Sequence, residues 1–323
     1  MLFTIPKRLR IYFRFERWLL GELCRAAART VITVYRAASG RPDAVPGMIG
    51  AIQTFGQLIH FHPHIHALVS EGVFLPDGTF VPLPKLATEP FLKLWEQEVF
   101  ALLLAEGKIT EDVVANMRSW KYSGFSVDQS VRLEAGDQEG VQRLIQYFLR
   151  CPFSQARMIE VTEAGKVIYK TEHNPVGRFP EPGDEELLAG PARNFQVFDP
   201  LDFLAEVTQH IPDAGEHLIR YYGWYSNKTR GQRAQRQPSA TTGTAAPPRP
   251  PTAREARKGW AALIKQVYEA DPLCCPRCGA ELKIIAFIER HQTEVIEKIL
   301  RHCGLWEEAA ARAPPQREVA VED

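Results

Sequence analysis

His60-Phe61-His62-Pro63-His64-Ile65-His66-Ala67-Leu68-Val69 places four of the chain's nine histidines within seven residues, then runs on into apolar sequence. Three of them alternate, at 62, 64 and 66. Alternate residues of an extended strand point to one face, so this spacing predicts a comb of imidazoles on a single surface of a sheet. Buried imidazoles are costly without partners and repel one another once protonated. A bound metal ion removes both problems.

Alternate strand residues lie about 6.6 Å apart, within reach of one ion, whereas the outer pair lies roughly 13 Å apart. One ion therefore takes two neighbours. Pro63 cannot donate to a sheet ladder and marks a strand's first residue or its edge. His64 and His66 are accordingly the expected ligands, with His62 in the entry loop.

A second constellation is Gly215-Glu216-His217-Leu218-Ile219-Arg220-Tyr221-Tyr222-Gly223-Trp224-Tyr225-Ser226-Asn227-Lys228. Asp213 with Glu216 resembles a capping box, which predicts a helix opening here and closing at Gly231. On such a helix His217, Tyr221 and Tyr225 share one face, and Tyr222 is turned about a hundred degrees away. Gly223 costs about 1 kcal/mol in a helix interior, and close approach by DNA or a strand would explain it. Lys228, Arg230, Arg233 and Arg236 follow without an acidic residue among them, which suits phosphate contact.

Together these segments resemble the two-tyrosine HUH transposases, named for a His-hydrophobic-His motif, here His64-Ile65-His66, and for paired tyrosines, here Tyr221 and Tyr225. The likeness is to the IS-ninety-one group of insertion sequences. It extends over Phe3-Thr4-Ile5-Pro6-Lys7-Arg8-Leu9-Arg10, Phe61–Leu68, Phe198-Asp199-Pro200-Leu201-Asp202-Phe203-Leu204 and Arg220–Asn227. The resemblance implies an α+β, palm-like HUH fold with a central antiparallel sheet. It also implies cleavage and rejoining of single-stranded DNA in rolling-circle transposition. Tyr221 or Tyr225 would attack a phosphodiester to leave a 5′-phosphotyrosine and a free 3′-OH. Tyr222 stays a third candidate, since unwinding at Gly223 would carry it to the working face. His64 and His66 would hold magnesium or manganese, with His217 as third ligand or proton acceptor. A plasmid replication initiator or relaxase would share this chemistry, but the chain contains no Walker motif. Members of the group usually carry a cysteine-rich, zinc-binding region ahead of the Phe-Thr-Ile-Pro-Lys strand, and here Met1 falls almost on that strand. An inactive DNA-binding relic is therefore a further expectation to weigh.

Charge sums to zero, with 39 basic and 39 acidic residues, so bulk charge says nothing about nucleic acid. Its distribution does. Lys7, Arg8, Arg10, Arg14 and Arg17 are offset only by Glu16, a stripe of the kind that steers DNA. Glu181, Asp184, Glu185 and Glu186 form an acidic counter-segment. No apolar run approaches a membrane span and no signal peptide is evident, so the expected location is cytoplasmic, with the nucleoid.

Strands paired by short turns and interleaved with helices predict an α+β domain over residues 1–231. Residues 232–254, rich in Pro, Ala and Thr, read as a disordered linker. Residues 255–310 read as a small module and 311–323 as a frayed tail. Cys24 and Cys151 read as inert thiols. Cys275-Pro276-Arg277-Cys278-Gly279 has zinc-knuckle spacing, and only Cys274, His291, His302 and Cys303 could complete a four-ligand set.

Overall fold

The computed structural model describes residues 1–56, 58–134, 136–163, 165–170, 195–235, 261, 263–265, 271, 273–275, 278–282 and 292–302. It divides into two compact units, Met1–Asp271 and Pro272–Asp323. The division falls later than residue 255 because Leu263 is buried in the main core of the first unit. In the first unit a central five-stranded antiparallel sheet carries helices, as the strand and helix pattern predicts.

The sheet is built from β1 (Leu2–Thr4), β2 (Gly47–Phe55), β3 (Phe61–Val69), β6 (Ser126–Asp128) and β10 (Ile219–Gly223), in the order β10-β2-β3-β1-β6. A short hairpin, β4 (Gly72–Phe74) with β5 (Phe80–Pro82), follows β3. A three-stranded sheet is formed by β7 (Met158–Val161), β8 (Val167–Lys170) and β9 (Phe195–Phe198). The helices are α1 (Arg10–Phe15), α2 (Trp18–Ser39), α3 (Thr88–Ala105), α4 (Glu111–Arg118), α5 (Gln138–Phe148), α6 (Pro200–Thr208) and α7 (Asn227–Gln235).

The two faces of the central sheet differ, and strand periodicity is the cause. Phe3, Ile52, Ile65, Met48, Ala67 and Val127 share one face and are all buried. Leu19, Leu20, Leu23, Cys24, Ala27 and Val31 of α2 lie in the same core. Trp95 of α3 closes it, its ring 5.2 Å from Phe3 and its indole N–H donating to the Thr4 carbonyl at 2.8 Å. Cross-strand partners point the same way, so the opposite face carries Thr4, Gln53, Ile49, His64, His66, Leu68 and Tyr221. That second face is the one left partly open.

Several local expectations are corrected. The segment expected as a tyrosine helix is the edge strand β10, paired with β2 from Ile219↔Ala51 to Gly223↔Gly47. The capping turn does form, with the Asp213 N–H donating to Glu216 at 3.0 Å. Gly215 then takes φ +81, and Arg17 binds Glu216 at 2.9 Å, so no helix propagates from it. Arg17 also donates to the Gln209 carbonyl at 2.8 Å, which removes it from the DNA-facing stripe. The helix begins only at Asn227 and runs through Gly231 to Gln235, so the first linker residues are helical. The helical stretch near the start is broken at Glu16, into α1 and α2.

The rest of the expected linker, the acidic segment at 181–186 and the tail lie outside the described residues, as does much of the module expected over 255–310. In the second unit, a Cys274↔Glu281 bridge closes a turn in which the Gly279 N–H donates to the Cys275 carbonyl. A helix, Thr293–His302, follows. No described helix is long and apolar enough to cross a membrane.

Candidate active site

The histidine comb lies on β3, a strand flanked on both sides, and its first tooth is inside the strand. His62 belongs to β3, not to an entry loop. Pro63 is tolerated because the β2–β3 ladder shifts register between Gln53 and Phe55, opposite this point. The His62 carbonyl accepts from His64 Nδ1 at 2.7 Å, which leaves the unprotonated His64 Nε2 facing His66. That nitrogen lies 3.1 Å from His66 Nε2. Two nitrogens sharing one ion at about 2.1 Å sit roughly 3.0–3.4 Å apart, so the pair fits a metal site.

Burial favours the neutral, ligating form of all three rings. It is the largest cause in each case, aided by neighbouring cations. His62 is pushed down to about 4, by burial, Arg10 and His64. His66 falls to about 3, by burial, then His64, the N-terminal amine and Arg150, and His64 is lowered as well. Among the described residues no three His, Cys, Asp or Glu side chains converge as an ion site. His217 is exposed in the loop before β10 and does not join the pair.

The tyrosines are sorted by strand alternation. Tyr221 pairs with Ile49, which pairs with Leu68, two residues beyond His66 on β3. Tyr221 therefore stands on the histidine face and is 44% exposed. Two strand spacings and two residues separate it from His66, about 12 Å between Cα atoms. Tyr222 points to the opposite face and packs against the core. Its buried hydroxyl is met by the Cys24 thiol, a weak partner, and burial raises its pKa far above the usual phenol value.

Tyr225 lies beyond the strand, in the turn that leads to α7. A Cβ on Gly47 would collide with its ring, which places that ring on the histidine face, 6.1 Å from Phe74. Burial raises its pKa too. Gly223 ends the strand at φ +57 with the Pro46 carbonyl where a side chain would be. The close approach expected at Gly223 is thus made by a strand neighbour. Trp224 stacks on Phe74 at 4.9 Å and lies under the Arg233 guanidinium at 4.1 Å.

The expected DNA-contacting cations divide in two. Lys7 is exposed just before α1, while Lys228 and Arg230 are exposed on α7. Arg8 donates to Asn116 at 3.3 Å and lies over Trp120. Arg233 donates to the Trp224 carbonyl at 2.7 Å, so it holds the turn. Arg10 lies near enough to His62 and His64 to lower both.

Four site neighbours carry no motif in the sequence: Gln53, Tyr147, Arg150 and His210. Gln53 donates to the Tyr147 and Phe148 carbonyls at 2.9 and 3.2 Å, pinning the end of α5 to β2. The Tyr147 ring is 5.1 Å from His66. The Arg150 guanidinium lies over Tyr147 at 5.3 Å and Phe55 at 5.6 Å. His210 is buried, shares a hydrogen bond with Thr54 at 3.0 Å and donates to the Ile59 carbonyl at 2.6 Å. Only long-range contact joins these residues to β3, and no local spacing announces it.

In the second unit Cys274 and Cys278 are exposed and Cys275 is half-buried. Among the described residues no group of three or more His, Cys, Asp or Glu side chains gathers here as a metal site. Cys303 and His291 lie outside them.

Residues 47–233 match the family model Y2_Tnp, described as "Putative transposase". The chain belongs to this transposase family. The match begins at the first residue of β2 and ends in α7, so it takes in both the histidine strand and the tyrosine strand. The chain is 24% identical over 305 residues to the transposase for insertion sequence element IS801 of Pseudomonas savastanoi pv. phaseolicola, covering 89% of this chain and 67% of that one. It is 26% identical over 256 residues to "Putative transposase y4qJ" of Sinorhizobium fredii (strain NBRC 101917 / NGR234), covering 72% and 59% respectively. The chain thus spans about two thirds or less of the length of these relatives. No solved structure matches it.

Proposed function

We propose that the chain nicks and rejoins single-stranded DNA through a 5′-phosphotyrosine bond formed at Tyr221 or Tyr225, as an HUH-type, rolling-circle transposase. The observation that carries the reading is the pairing of His64 and His66 Nε2 atoms at 3.1 Å on the same sheet face as Tyr221. A divalent ion, magnesium or manganese, would lower the charge on a bound phosphate and polarise it toward attack.

The protein's own contributions follow from the geometry. His64 and His66 present neutral nitrogens because burial disfavours their protonation. The His62 carbonyl fixes the tautomer of His64. The Tyr221 oxygen attacks phosphorus as its proton leaves to solvent. The bond from phosphorus to the 3′ oxygen breaks, and that oxygen takes up a proton. The bond energy is kept in the phosphotyrosine, so a 3′-OH can later reverse the step without an external energy source. Two tyrosines on one face allow a second cleavage before the first link is resolved. In this reading His217, exposed in the loop before β10, and Tyr222, packed against the core, take no part in the chemistry.

A single-stranded oligonucleotide nicking assay tests the reading. Nicking that needs manganese or magnesium, and is lost in His64→Ala/His66→Ala, is the expected result. Undiminished nicking in chelator would overturn it.

A further inference from the structure

We propose that the cavity beside His66 is a base pocket that takes a guanine of the single strand, with Asp128 reading its donor edge. This deepens the function proposed above and rests on it.

The floor is one row of the sheet. Leu2 is the cross-strand partner of both His66 and Asp128, so the three side chains stand side by side on the histidine face. Two strand spacings, about 10 Å, separate the Cα atoms of His66 and Asp128. A cavity of about 480 Å³ opens over this row, walled by Leu83, Leu86, Leu144 and Phe148. A space of that size, mostly apolar with a few placed polar groups, suits a flat heteroaromatic ring. The walls are held before any ligand arrives, which lowers the cost of binding. Gln53 ties the end of α5 to β2, and the Phe148 ring lies 5.4 Å from His66. Gln129 donates to the Leu86 carbonyl at 2.7 Å and to the Thr88 hydroxyl at 2.8 Å, which fixes the opposite wall. Arg132 and Glu71 pair at 2.8 Å on the rim.

Asp128 decides the chemistry of the occupant. An ionised carboxylate accepts and never donates, so it disfavours a phosphate in the cavity and favours a base edge that donates. Its Oδ1 accepts from the Ser130 N–H at 2.9 Å and its Oδ2 from the Ser130 hydroxyl at 3.0 Å. Those bonds orient the carboxylate and leave each oxygen a second lone pair. The Met1 amine feels its charge but donates to the Ala67 carbonyl at 2.8 Å. Two adjacent acceptors match two adjacent donors. Among the four DNA bases only guanine offers that pair, N1–H beside the 2-amino group, on its Watson–Crick edge; adenine and cytosine set an acceptor next to their amino group. A strand whose phosphate sits at the histidine pair brings the neighbouring base over Leu2 toward Asp128. The cleavage position would then be chosen by a guanine next to the reacting phosphate.

Fluorescence anisotropy in chelator tests the pocket apart from cleavage. The probes are labelled oligo(dT) strands with one central guanine, or with hypoxanthine, which lacks only the 2-amino group. Wild type should bind the guanine strand about tenfold more tightly, the worth of one hydrogen bond to a charged acceptor. Asp128→Asn, which keeps the shape and replaces one acceptor by a donor, should bring the two strands to within about twofold of each other. Leu144→Trp, which fills the cavity, should do the same. A folding defect lowers both affinities together and leaves their ratio alone. Equal wild-type affinity for the two strands, or a guanine preference that survives Asp128→Asn, would overturn the pocket, even if nicking still required His64 and His66. A preference lost in Asp128→Asn together with nicking that survives chelator would keep the pocket and discard the cleavage chemistry.

Discussion

Tyr221 and Tyr222 are neighbours in sequence and stand on opposite faces of the sheet, Tyr221 with the histidines and Tyr222 in the core beside Cys24. The rule of period two, not the helical hundred degrees, separates them. Tyr222→Phe should therefore leave nicking intact. Because among the described residues its buried hydroxyl meets only a thiol, the substitution should leave unfolding free energy unchanged or raise it by up to about 1 kcal/mol. Chemical denaturation alongside the nicking assay checks both.

The cations around the histidines predict linked binding. A divalent ion held by two neutral nitrogens near Arg10 gains little, until a phosphate adds negative charge and an oxygen ligand. Manganese affinity, measured by calorimetry, should rise at least tenfold when an oligonucleotide is present, and DNA affinity should rise by the same factor with manganese. Equal manganese affinity with and without DNA would contradict this.

Acid should destabilise the metal-free protein. His62, His64 and His66 have folded pKa values below the ordinary 6.5, so between those values the unfolded chain binds more protons. Stability is then complete above about 6.5 and declines as pH falls toward 4. Melting temperature in chelator should fall over that window, and the fall should shrink in His62→Ala/His66→Ala.

His210 predicts a structural dependence on a residue far from the comb in sequence. It ties Thr54 on β2 to Ile59, whose buried backbone sits at φ +63, unusual for a β-branched residue. His210→Ala removes two buried hydrogen bonds and a ring stacked on Phe61. It should cost about 2 kcal/mol or more. Hydrogen exchange at the β2–β3 hairpin should rise first.

Much of this was legible in the chain. Alternation at 62, 64 and 66 places His64 and His66 on one face, and the antiparallel α+β layout follows from strand and turn patterns. The tyrosine segment misled because Asp213 and Glu216 do form a capping turn, while the pairing of Ile219–Gly223 with β2 is a tertiary event. Leu218-Ile219-Arg220-Tyr221-Tyr222, ending at a glycine, was the local hint of a strand. Gln53, Tyr147 and Arg150 could not be found from spacing, since their roles depend on α5 landing beside His66.

The central claim is tested most directly by trapping the covalent protein–DNA adduct with manganese and a suicide oligonucleotide, then mapping it by mass spectrometry. The account predicts an adduct on Tyr221 or Tyr225, lost when both are changed to phenylalanine. An adduct on Tyr222 or Tyr147, or one that survives the double substitution, would contradict it.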